Sequence, residues 1–265
     1  MIPCLALAAA LATATPGSTI AVTGACPATV VVPARVWSPP ITVDASAATV
    51  TNVTVAHVSG LTWTGGTFDG GGTVASGFAI SNSDHVTVAL GRFTNYRRNA
   101  IGLGPEANDS RITGNVISRS GSDGIDVALS RRVMVDHNVC MDFAPTPLAH
   151  PDCIQLWSRP TNAPTADITI TDNIAVGDMQ GFDGYNHVRP DATGKLVDDG
   201  GFDRIVVQRN FAMVNDPAAI SLYSCRSCDI SGNIVRQYPG AAHYSKITVV
   251  GNVGWTMGVN DTVAR

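Results

Sequence analysis

The chain has 265 residues, a formal net charge of −4, and charged side chains at only 14% of its positions. An acidic balance argues against a nucleic-acid partner, which normally requires a basic surface. It does not exclude an acidic polymer as partner, because a basic cleft can lie on an acidic protein. The 26 glycines, together with abundant Thr, Val, Ile and Asn, favour an all-β protein rich in turns.

The first 15 residues are largely apolar. One face of a predicted helix carries Leu5, Leu7, Ala8, Leu11 and Ala12. This segment is either a helix that caps the open end of a solenoid or a residual leader, and the turn-and-strand pattern that follows it favours the cap. The apolar run is too short to span a bilayer, so no membrane insertion is expected.

A β-rich unit that ends in Asn or Gly recurs along the chain. The terminal residues are Gly66, Gly91, Asn115, Asn138, Asn173, Asn210, Asn233 and Asn252. Stacked units of this kind bury their Val and Ile side chains against the units above and below. We therefore predict a single parallel β-helix domain over residues 1–265, with roughly eight coils after residues 1–15. The terminal Asn or Gly is expected to adopt the left-handed conformation, and stacked Asn side chains can bond to one another.

Two of the spacings between these terminal residues, 35 and 37 residues, exceed the others, which run from 19 to 25. The excess lies at residues 141–150 and 158–166 in one coil and at residues 184–201 in the next. Insertions in a solenoid emerge as loops, often beside the binding face, so these loops could wall a cleft. Neutral variation in loop length is the alternative.

A second family of strands lies between these units. The period of two points Ile101, Ile125, Ile154, Phe182 and Ile220 inward and gives an outward column of Gly102, Asp126, Gln155, Asp183 and Ser221. A second column at the strand starts holds Asn99, Asp123 and Asp152. Carboxylates on strands about 4.8 Å apart repel and raise one another's pKa. Such an arrangement indicates a cation, a basic partner or catalysis.

Two segments, Ser122-Asp-Gly-Ile-Asp126 and His150-Pro-Asp-Cys-Ile-Gln-Leu-Trp157, resemble a bacterial family of secreted β-helix repeat proteins in the pectate lyase-like superfamily. So does Gly177-Asp-Met-Gln-Gly181. The resemblance implies a right-handed parallel β-helix, a polysaccharide as partner, and a secreted or extracytoplasmic location. It leaves the activity open, because the superfamily contains lyases, C5-epimerases, hydrolases and phage adhesins.

The leading hypothesis is a polysaccharide lyase or C5-epimerase that acts on a uronic-acid polymer. That chemistry removes the proton next to a carboxylate, so it needs a base and a group that neutralises the substrate charge. The candidate catalytic residues are His150, Asp152 and Asp123, and Asp123, Asp126 and Asp152 are candidate calcium ligands. Candidate substrate-binding residues are Asp126, Gln155, Arg97, Arg98, Trp157, Asp183, His187, Arg189 and Lys195.

Two alternatives remain. Asp123 and Asp152 could form the paired carboxylates of a polygalacturonase-like hydrolase, although Pro151 stands where that family has another Asp and no Gly-His-Gly follows. A non-catalytic carbohydrate-binding or adhesin-like solenoid would use the same Asp and Asn residues as turn formers.

The six cysteines permit several pairings. Cys225 and Cys228 are close enough in sequence for a local disulfide, and Cys153 either pairs with Cys140 or stays free. Disulfides would fit a secreted protein. A zinc site is not favoured, because no second Cys or His pair accompanies Cys225 and Cys228.

Overall fold

The computed structural model shows a parallel β-helix of about nine turns, one for each strand of its nine-stranded sheet. The structure describes residues 1–146, 149–158, 163–185, 188–190, 196–198, 200–223, 225–241, 246–250, 256–257 and 262–264; for residues 188–190, 196–198, 249–250, 256–257 and 262–264 it describes the backbone alone. The predicted fold class is thus confirmed. The count exceeds the predicted eight because one turn, which contributes Val30–Val32 to that sheet, precedes the turn that contains Gly66, the first repeat position found in the sequence.

Three faces of parallel strands run along the solenoid. The first face is the nine-stranded sheet of Val30–Val32, Val53–Ala56, Ser76–Ser81, Asn99–Leu103, Ile125–Ala128, Asp152–Trp157, Gln180–Gly184, Ala218–Tyr223 and Lys246–Val250. The second face contains Thr19–Cys26, Arg35–Val50, Val58–Thr64, Ser83–Ala89, Ala107–Asn108, Arg111–Thr113, Arg131–Asp136, Thr165–Thr171, Phe202–Asp203, Val206–Gln208, Cys225–Arg226, Asp229–Ser231 and Thr256–Met257, with Ile2–Pro3 at its edge. The third face contains Thr67–Asp69, Arg92–Thr94, Val116–Ser118, Val139–Met141, Ile174–Gly177, Phe211–Val214, Ile234–Gln237 and Thr262–Ala264.

The inward side chains form one continuous core. Ile101, Ile125, Ile154, Phe182 and Ile220 occupy matching register positions on the first face and are all buried, as predicted. Aromatic rings fill the early turns, where the Phe68 and Phe93 centroids lie 4.3 Å apart in a stacked pair. Because each strand packs against its neighbours in the turns above and below, the core has no boundary between domains.

A short helix covers the first turns. A 3-10 turn, Cys4–Ala6, leads into an α-helix, Leu7–Thr13. Leu7 and Leu11 are buried against the first strands, and Cys4 forms a disulfide with Cys26. The prediction of a single apolar face was partly wrong, since Leu5 is 88% exposed and Ala8 and Ala12 are exposed too. The 3-10 turn rotates Leu5 away from the face that Leu7 and Leu11 share.

Five buried asparagines form a continuous ladder between the second and third faces. The asparagine ladder consists of Asn115, Asn138, Asn173, Asn210 and Asn233. Each side chain donates from Nδ2 to the Oδ1 of the next, over 3.0, 3.1, 3.0 and 3.0 Å in chain order. Each Nδ2 also donates to a backbone carbonyl of the preceding turn, as Asn173 does to Val135 over 2.9 Å. The predicted Asn–Asn bonding is confirmed, and it satisfies these amides fully.

The left-handed residue lies one position earlier than predicted. Positive φ angles occur at Gly114 (64°), His137 (57°), Asp172 (57°), Arg209 (53°) and Gly232 (68°), each directly before a ladder asparagine. The chain therefore bends before the asparagine. The amide can then fold back onto its own turn, as Asn138 Nδ2 does in donating to the Asp136 carbonyl over 3.0 Å.

The structure pairs all six cysteines, as Cys4–Cys26, Cys140–Cys153 and Cys225–Cys228. The local pair was predicted, and the Cys140–Cys153 pair was one of the two alternatives for Cys153. In the insertion at residues 184–201, the strands Val188–Pro190 and Leu196–Asp198 pair with each other in antiparallel orientation. Among the described residues, no helix has the length and apolar character needed to cross a membrane.

Candidate active site

Register on the first face brings the predicted outward column together. Gly102, Asp126, Gln155, Asp183 and Ser221 are paired in sequence from strand to strand. In the second column, Asp152 pairs with Gln180, and Asn99 pairs with Ser76. Parallel strands in register stack equivalent positions about 4.8 Å apart, which is why residues far apart in sequence meet here.

Four aspartates, Asp123, Asp126, Asp152 and Asp183, form what we call the acid cluster. The Asp123 Oδ1 atom accepts a 3.0 Å hydrogen bond from the Asp152 backbone N–H. Asp126 Oδ2 accepts a 2.6 Å hydrogen bond from Asn99 Nδ2, and Asp183 Oδ1 accepts one from the Ser221 hydroxyl. Asp123 and Asp126 lie close enough for the charge of Asp123 to act on the Asp126 carboxyl. The predicted convergence of these carboxyls is therefore present.

The cluster is buried but not satisfied. Asp152 is fully buried, and neither of its carboxyl oxygens has a hydrogen-bond partner among the described residues. The same holds for Asp126 Oδ1, Asn99 Oδ1 and Gln155 Oε1. A buried polar atom without a hydrogen bond costs about 1–3 kcal/mol, and more when it is charged. Several unsatisfied polar atoms in one cluster destabilise the fold, and such a cluster indicates a functional site.

Burial and mutual repulsion shift the acidities of the cluster. Burial, and then the charge of Asp123, raises the pKa of Asp126 to about 8, against the opposing hydrogen bond from Asn99. Burial, and then the charge of Asp183, raises the pKa of Asp152 well above its usual range. Burial also raises the pKa of Asp183 to about 6 and that of Asp123 above its ordinary value. Near neutrality the cluster therefore holds proton donors and proton acceptors side by side.

His150 stands at the edge of the cluster, with Nδ1 3.5 Å from Asp152 Oδ2 and two thirds of its side chain exposed. It lines two cavities, one of about 310 Å³ toward Trp157 and one of about 540 Å³ toward Asp216. The exposed imidazole can therefore reach a ligand, whereas Asp152 lies beneath it. A buried carboxyl behind an exposed histidine can orient the ring and stabilise its protonated form.

The cluster opens on a groove that follows the solenoid axis. A cavity of about 630 Å³ lies over the earlier turns and is lined by Arg98, Asn99 and Asp126 among others. It meets the 310 Å³ cavity at Trp157, which lines both. Together they cross seven strands of the first face, from Val53–Ala56 to Ala218–Tyr223, a distance of about 30 Å. A groove of this length accommodates an extended polymer.

Only some of the other predicted substrate-binding residues line the groove in the described part of the chain. Gln155, Trp157 and Asp183 line the groove, and Arg98 does so close enough to Asp126 to act on its charge. Arg97 is exposed but lines neither cavity of the groove. His187 and Lys195 lie outside the described residues, and Arg189 is described only as part of the Val188–Pro190 strand. Whether the insertions wall the cleft stays a prediction for the same reason.

Sequence reasoning missed the aromatic part of the groove. Tyr185 and Tyr223 line the 310 Å³ cavity, with ring centroids 5.1 Å apart in an edge-to-face arrangement. Each lies two residues after a member of the outward column, as Trp157 does after Gln155, and Tyr185 directly follows its strand. Extending the strand alignment by two residues would have found them. Asn99 and Ser221 were placed in the right columns, but their bonds to Asp126 and Asp183 depend on side-chain geometry.

Calcium was predicted at Asp123, Asp126 and Asp152. Among the described residues, no group of three or more His, Cys, Asp or Glu side chains is arranged to hold a metal ion. One Asp123 oxygen already accepts the Asp152 backbone N–H, and one Asp126 oxygen accepts a hydrogen bond from Asn99. Calcium binding by these three residues therefore stays a prediction.

The chain matches no protein-family model and no curated protein sequence. Solved structures with a similar fold include the PL6 family alginate lyase AlyGC, with a TM-score of 0.64 and 14% identity over 97% of this chain and 40% of that one. The alginate lyase from Paenibacillus sp. str. FPU-7 gives a TM-score of 0.55 at 12% identity over 100% and 96% of the two chains.

A tailspike protein of E. coli bacteriophage HK620, solved in complex with a pentasaccharide, gives a TM-score of 0.53 at 14% identity over 94% and 50%. This chain therefore spans less than half of AlyGC and half of the tailspike chain. At such identities the likeness shows the fold alone. The chain is a parallel β-helix protein with an acidic groove on its nine-stranded face.

Proposed function

We propose that this protein is a carbohydrate-active enzyme that binds a polysaccharide along the groove and cleaves it as a lyase. The observation that supports this most is the acid cluster, buried and unsatisfied at the floor of a groove about 30 Å long. A purely structural column would have satisfied its polar atoms, as the asparagine ladder does. The alginate lyases among the similar folds support the same assignment.

The proposed roles follow from exposure. His150, exposed at the groove, takes the proton from the carbon next to the uronate carboxyl. The electron pair of that C–H bond forms a carbon–carbon double bond, and the bond from the neighbouring carbon to the glycosidic oxygen breaks. Asp126, partly exposed in the groove and protonated near neutrality, gives its proton to the departing oxygen. Asp152, beneath the surface, positions His150. Burial, and then the charge of Asp123, raises the pKa of Asp126 and so holds it in the protonated form.

Arg98 supplies the positive charge for the substrate carboxylate. It lines the groove beside Asp126 and is the single Arg or Lys among the described residues that line the two cavities. No step depends on a metal ion. If calcium is nevertheless required, treatment with a chelator will abolish activity and added calcium will restore it.

Hydrolysis of the polysaccharide is the second candidate reaction, and one specific observation favours it. The cluster contains carboxyls with different acidities, since the pKa of Asp126 is raised to about 8 and that of Asp183 to about 6. A protonated and an ionised carboxyl are the acid and the base of a glycoside hydrolase.

Incubation with a panel of uronate polysaccharides separates these reactions. Lyase action generates ultraviolet-absorbing unsaturated products, whereas hydrolysis generates reducing ends without that absorbance. Epimerisation changes the uronate composition without cleavage. Binding without any of these products would contradict an enzymatic function and favour a carbohydrate-binding solenoid. The three disulfides support a secreted or extracytoplasmic location, as part of the same proposal.

A further inference from the structure

The two cavities of the groove have different floors. Over the earlier turns the outward side chains are small, and Ala79, Gly102 and Ala128 line the larger cavity. Over the later turns they are bulky, with Trp157, Tyr185 and Tyr223 at equivalent positions in successive turns. A sugar ring can lie flat on the small-residue floor. The aromatic rings instead present faces and edges against which the C–H face of a sugar packs.

The two cavities also differ in charge. Arg98 lines the larger cavity, where it can pair with an anionic group. The described residues of the aromatic cavity include no Arg or Lys. They include His150, the neutral base of the proposed reaction, and Asp183, which lies at the floor of the cavity. Because the pKa of Asp183 is raised only to about 6, this carboxyl is ionised at neutral pH. A carboxylate on a sugar in the aromatic cavity would therefore meet repulsion at short range.

An unpartnered polar group is also present in the aromatic cavity. Gln155 lines this cavity with only 2% of its surface exposed, and its Oε1 has no hydrogen-bond partner among the described residues. An amide oxygen accepts hydrogen bonds, and the hydroxyl groups of a sugar donate them. A hydroxyl-bearing sugar in this cavity would remove the cost of leaving Gln155 unsatisfied.

We propose that the substrate is an acidic heteropolysaccharide, in which a uronate lies beside Arg98 and the adjoining sugar, packed on Trp157, Tyr185 and Tyr223, carries no carboxylate. This inference rests on the proposed function, because it assumes a polysaccharide in the groove. It differs from the first expectation of an unspecified uronate polymer. It predicts that a polymer made of uronates alone is a poor ligand, since the ring next to the uronate at Arg98 would also carry a carboxylate and bring it to Asp183.

The test compares the intact protein with two classes of glycan. One is a polymer in which a uronate alternates with an uncharged sugar, such as the backbone of rhamnogalacturonan I, and the other is a homopolymeric uronate such as polygalacturonate or alginate. Affinity is measured by calorimetry and cleavage by product formation. We expect at least tenfold tighter binding of an alternating polymer. Equal or tighter binding of the homopolymers would overturn the inference, whether or not they are cleaved.

Substitutions in each cavity test which cavity is responsible for the preference for the alternating polymer. Tyr223→Ala should lower affinity for the alternating polymer about tenfold and leave the weak affinity for the homopolymer unchanged. Arg98→Ala should lower affinity for both polymers. Tyr238→Ala is the matched control, because Tyr238 lines neither cavity of the groove and its loss should change nothing. If Tyr223→Ala weakened both polymers equally, the aromatic cavity would not discriminate and the inference would be wrong.

These outcomes separate the inference from the proposed function. Tight binding of an alternating polymer without cleavage would uphold the inference and contradict the proposed enzyme. Cleavage of homopolymers, with no preference for the alternating polymer, would uphold the proposed enzyme and contradict the inference. If no uronate polymer of either class bound at all, both would fail.

Discussion

The asparagine ladder and the acid cluster are both columns of polar side chains stacked along the same solenoid, yet they differ in almost every physical respect. In the ladder, each amide donates to one neighbour and accepts from the other, so the column satisfies itself. A carboxylate has acceptors only, so stacked carboxylates cannot satisfy one another. The acid cluster accordingly leaves Asp152 without a hydrogen bond from any described residue.

This comparison shows how a repetitive fold separates structure from function. The position that repeats as Asn in five successive turns stabilises those turns. Positions where Gly, Asp, Gln, Asp and Ser follow one another in register have no common structural role. The irregular column is therefore where a ligand is expected, and it is the column that faces the groove.

Breaking the ladder should have the largest effect on stability. Asn173→Leu removes the side-chain hydrogen bonds to Asn138, Val135, Thr171 and Asn210 and leaves several buried groups unpaired. We expect a loss of about 4 kcal/mol and a fall in Tm of about 10 °C. Thermal unfolding followed by circular dichroism measures it.

A carboxylate placed in the ladder gives a sharper result. Asn173→Asp keeps the size of the side chain but replaces two N–H donors by at most the single O–H of a protonated carboxyl. Burial should hold the new carboxyl protonated. Its stability should therefore fall further as the pH rises. A Tm within 2 °C of the native protein, roughly the effect of an ordinary surface substitution, in either variant would show that the ladder is not a stabilising element.

The acid cluster should give the native protein a pH dependence of its own. Because the folded pKa of Asp126 is raised to about 8, the folded state retains a proton that the unfolded state loses near the ordinary aspartate pKa of 3.8. The stability contributed by that proton is complete below the unfolded pKa and is lost as the pH rises through about 8.

Asp126→Asn should remove this contribution. The Tm of the native protein should fall by several degrees between pH 5 and pH 8.5, a span set by the shifted pKa, and the variant should show a flatter profile. Parallel profiles for the two proteins would mean that Asp126 titrates normally. Calorimetry over that pH range distinguishes the two outcomes.

Exposed ion pairs should matter least. Arg132 binds Asp109 of the preceding turn, with Nε 2.6 Å from Oδ1, but both side chains are accessible to water. Screening and side-chain entropy offset most of the attraction in such pairs. Arg132→Ala should therefore change Tm by less than about 2 °C, and a larger loss would place this surface pair with the ladder as a structural element.

The sequence predicted the features that repetition determines. The strand period and the Asn spacing led to the fold, the ladder, the inward Ile column and the outward column with Asp126 and Asp183. The predictions were wrong where the local backbone conformation departs from the repeated pattern. The left-handed residue proved to be the one before each asparagine, and the face of the first helix shifted because a 3-10 turn precedes it.

The candidate site was less completely predictable. Burial separates His150, which reaches the groove, from Asp152 beneath it, and no periodicity reveals that difference. The Cys4–Cys26 disulfide likewise depends on how the first helix folds back on the first strand. Such features depend on side-chain packing in three dimensions rather than on the spacing of residue types.

Two buried aspartates provide the most direct test of the central claim. Asp136 is as buried as Asp152, but it accepts hydrogen bonds from Arg111, Thr113 and His137 at 2.7–3.0 Å. Burial would raise the pKa of Asp136, yet these hydrogen bonds outweigh it and lower the pKa. Asp136 is thus a carboxylate with a structural role, on the second face.

The decisive measurement is Tm and polysaccharide-cleaving activity of Asp152→Asn and Asp136→Asn, side by side. We predict that Asp152→Asn lowers activity at least tenfold, about 1.4 kcal/mol or more in transition-state free energy, while Tm stays the same or rises because a buried unsatisfied carboxyl is gone. Asp136→Asn should lower Tm and leave the activity of the folded protein unchanged. Full activity in Asp152→Asn, or a loss of stability equal to that of Asp136→Asn, would show that the acid cluster is structural.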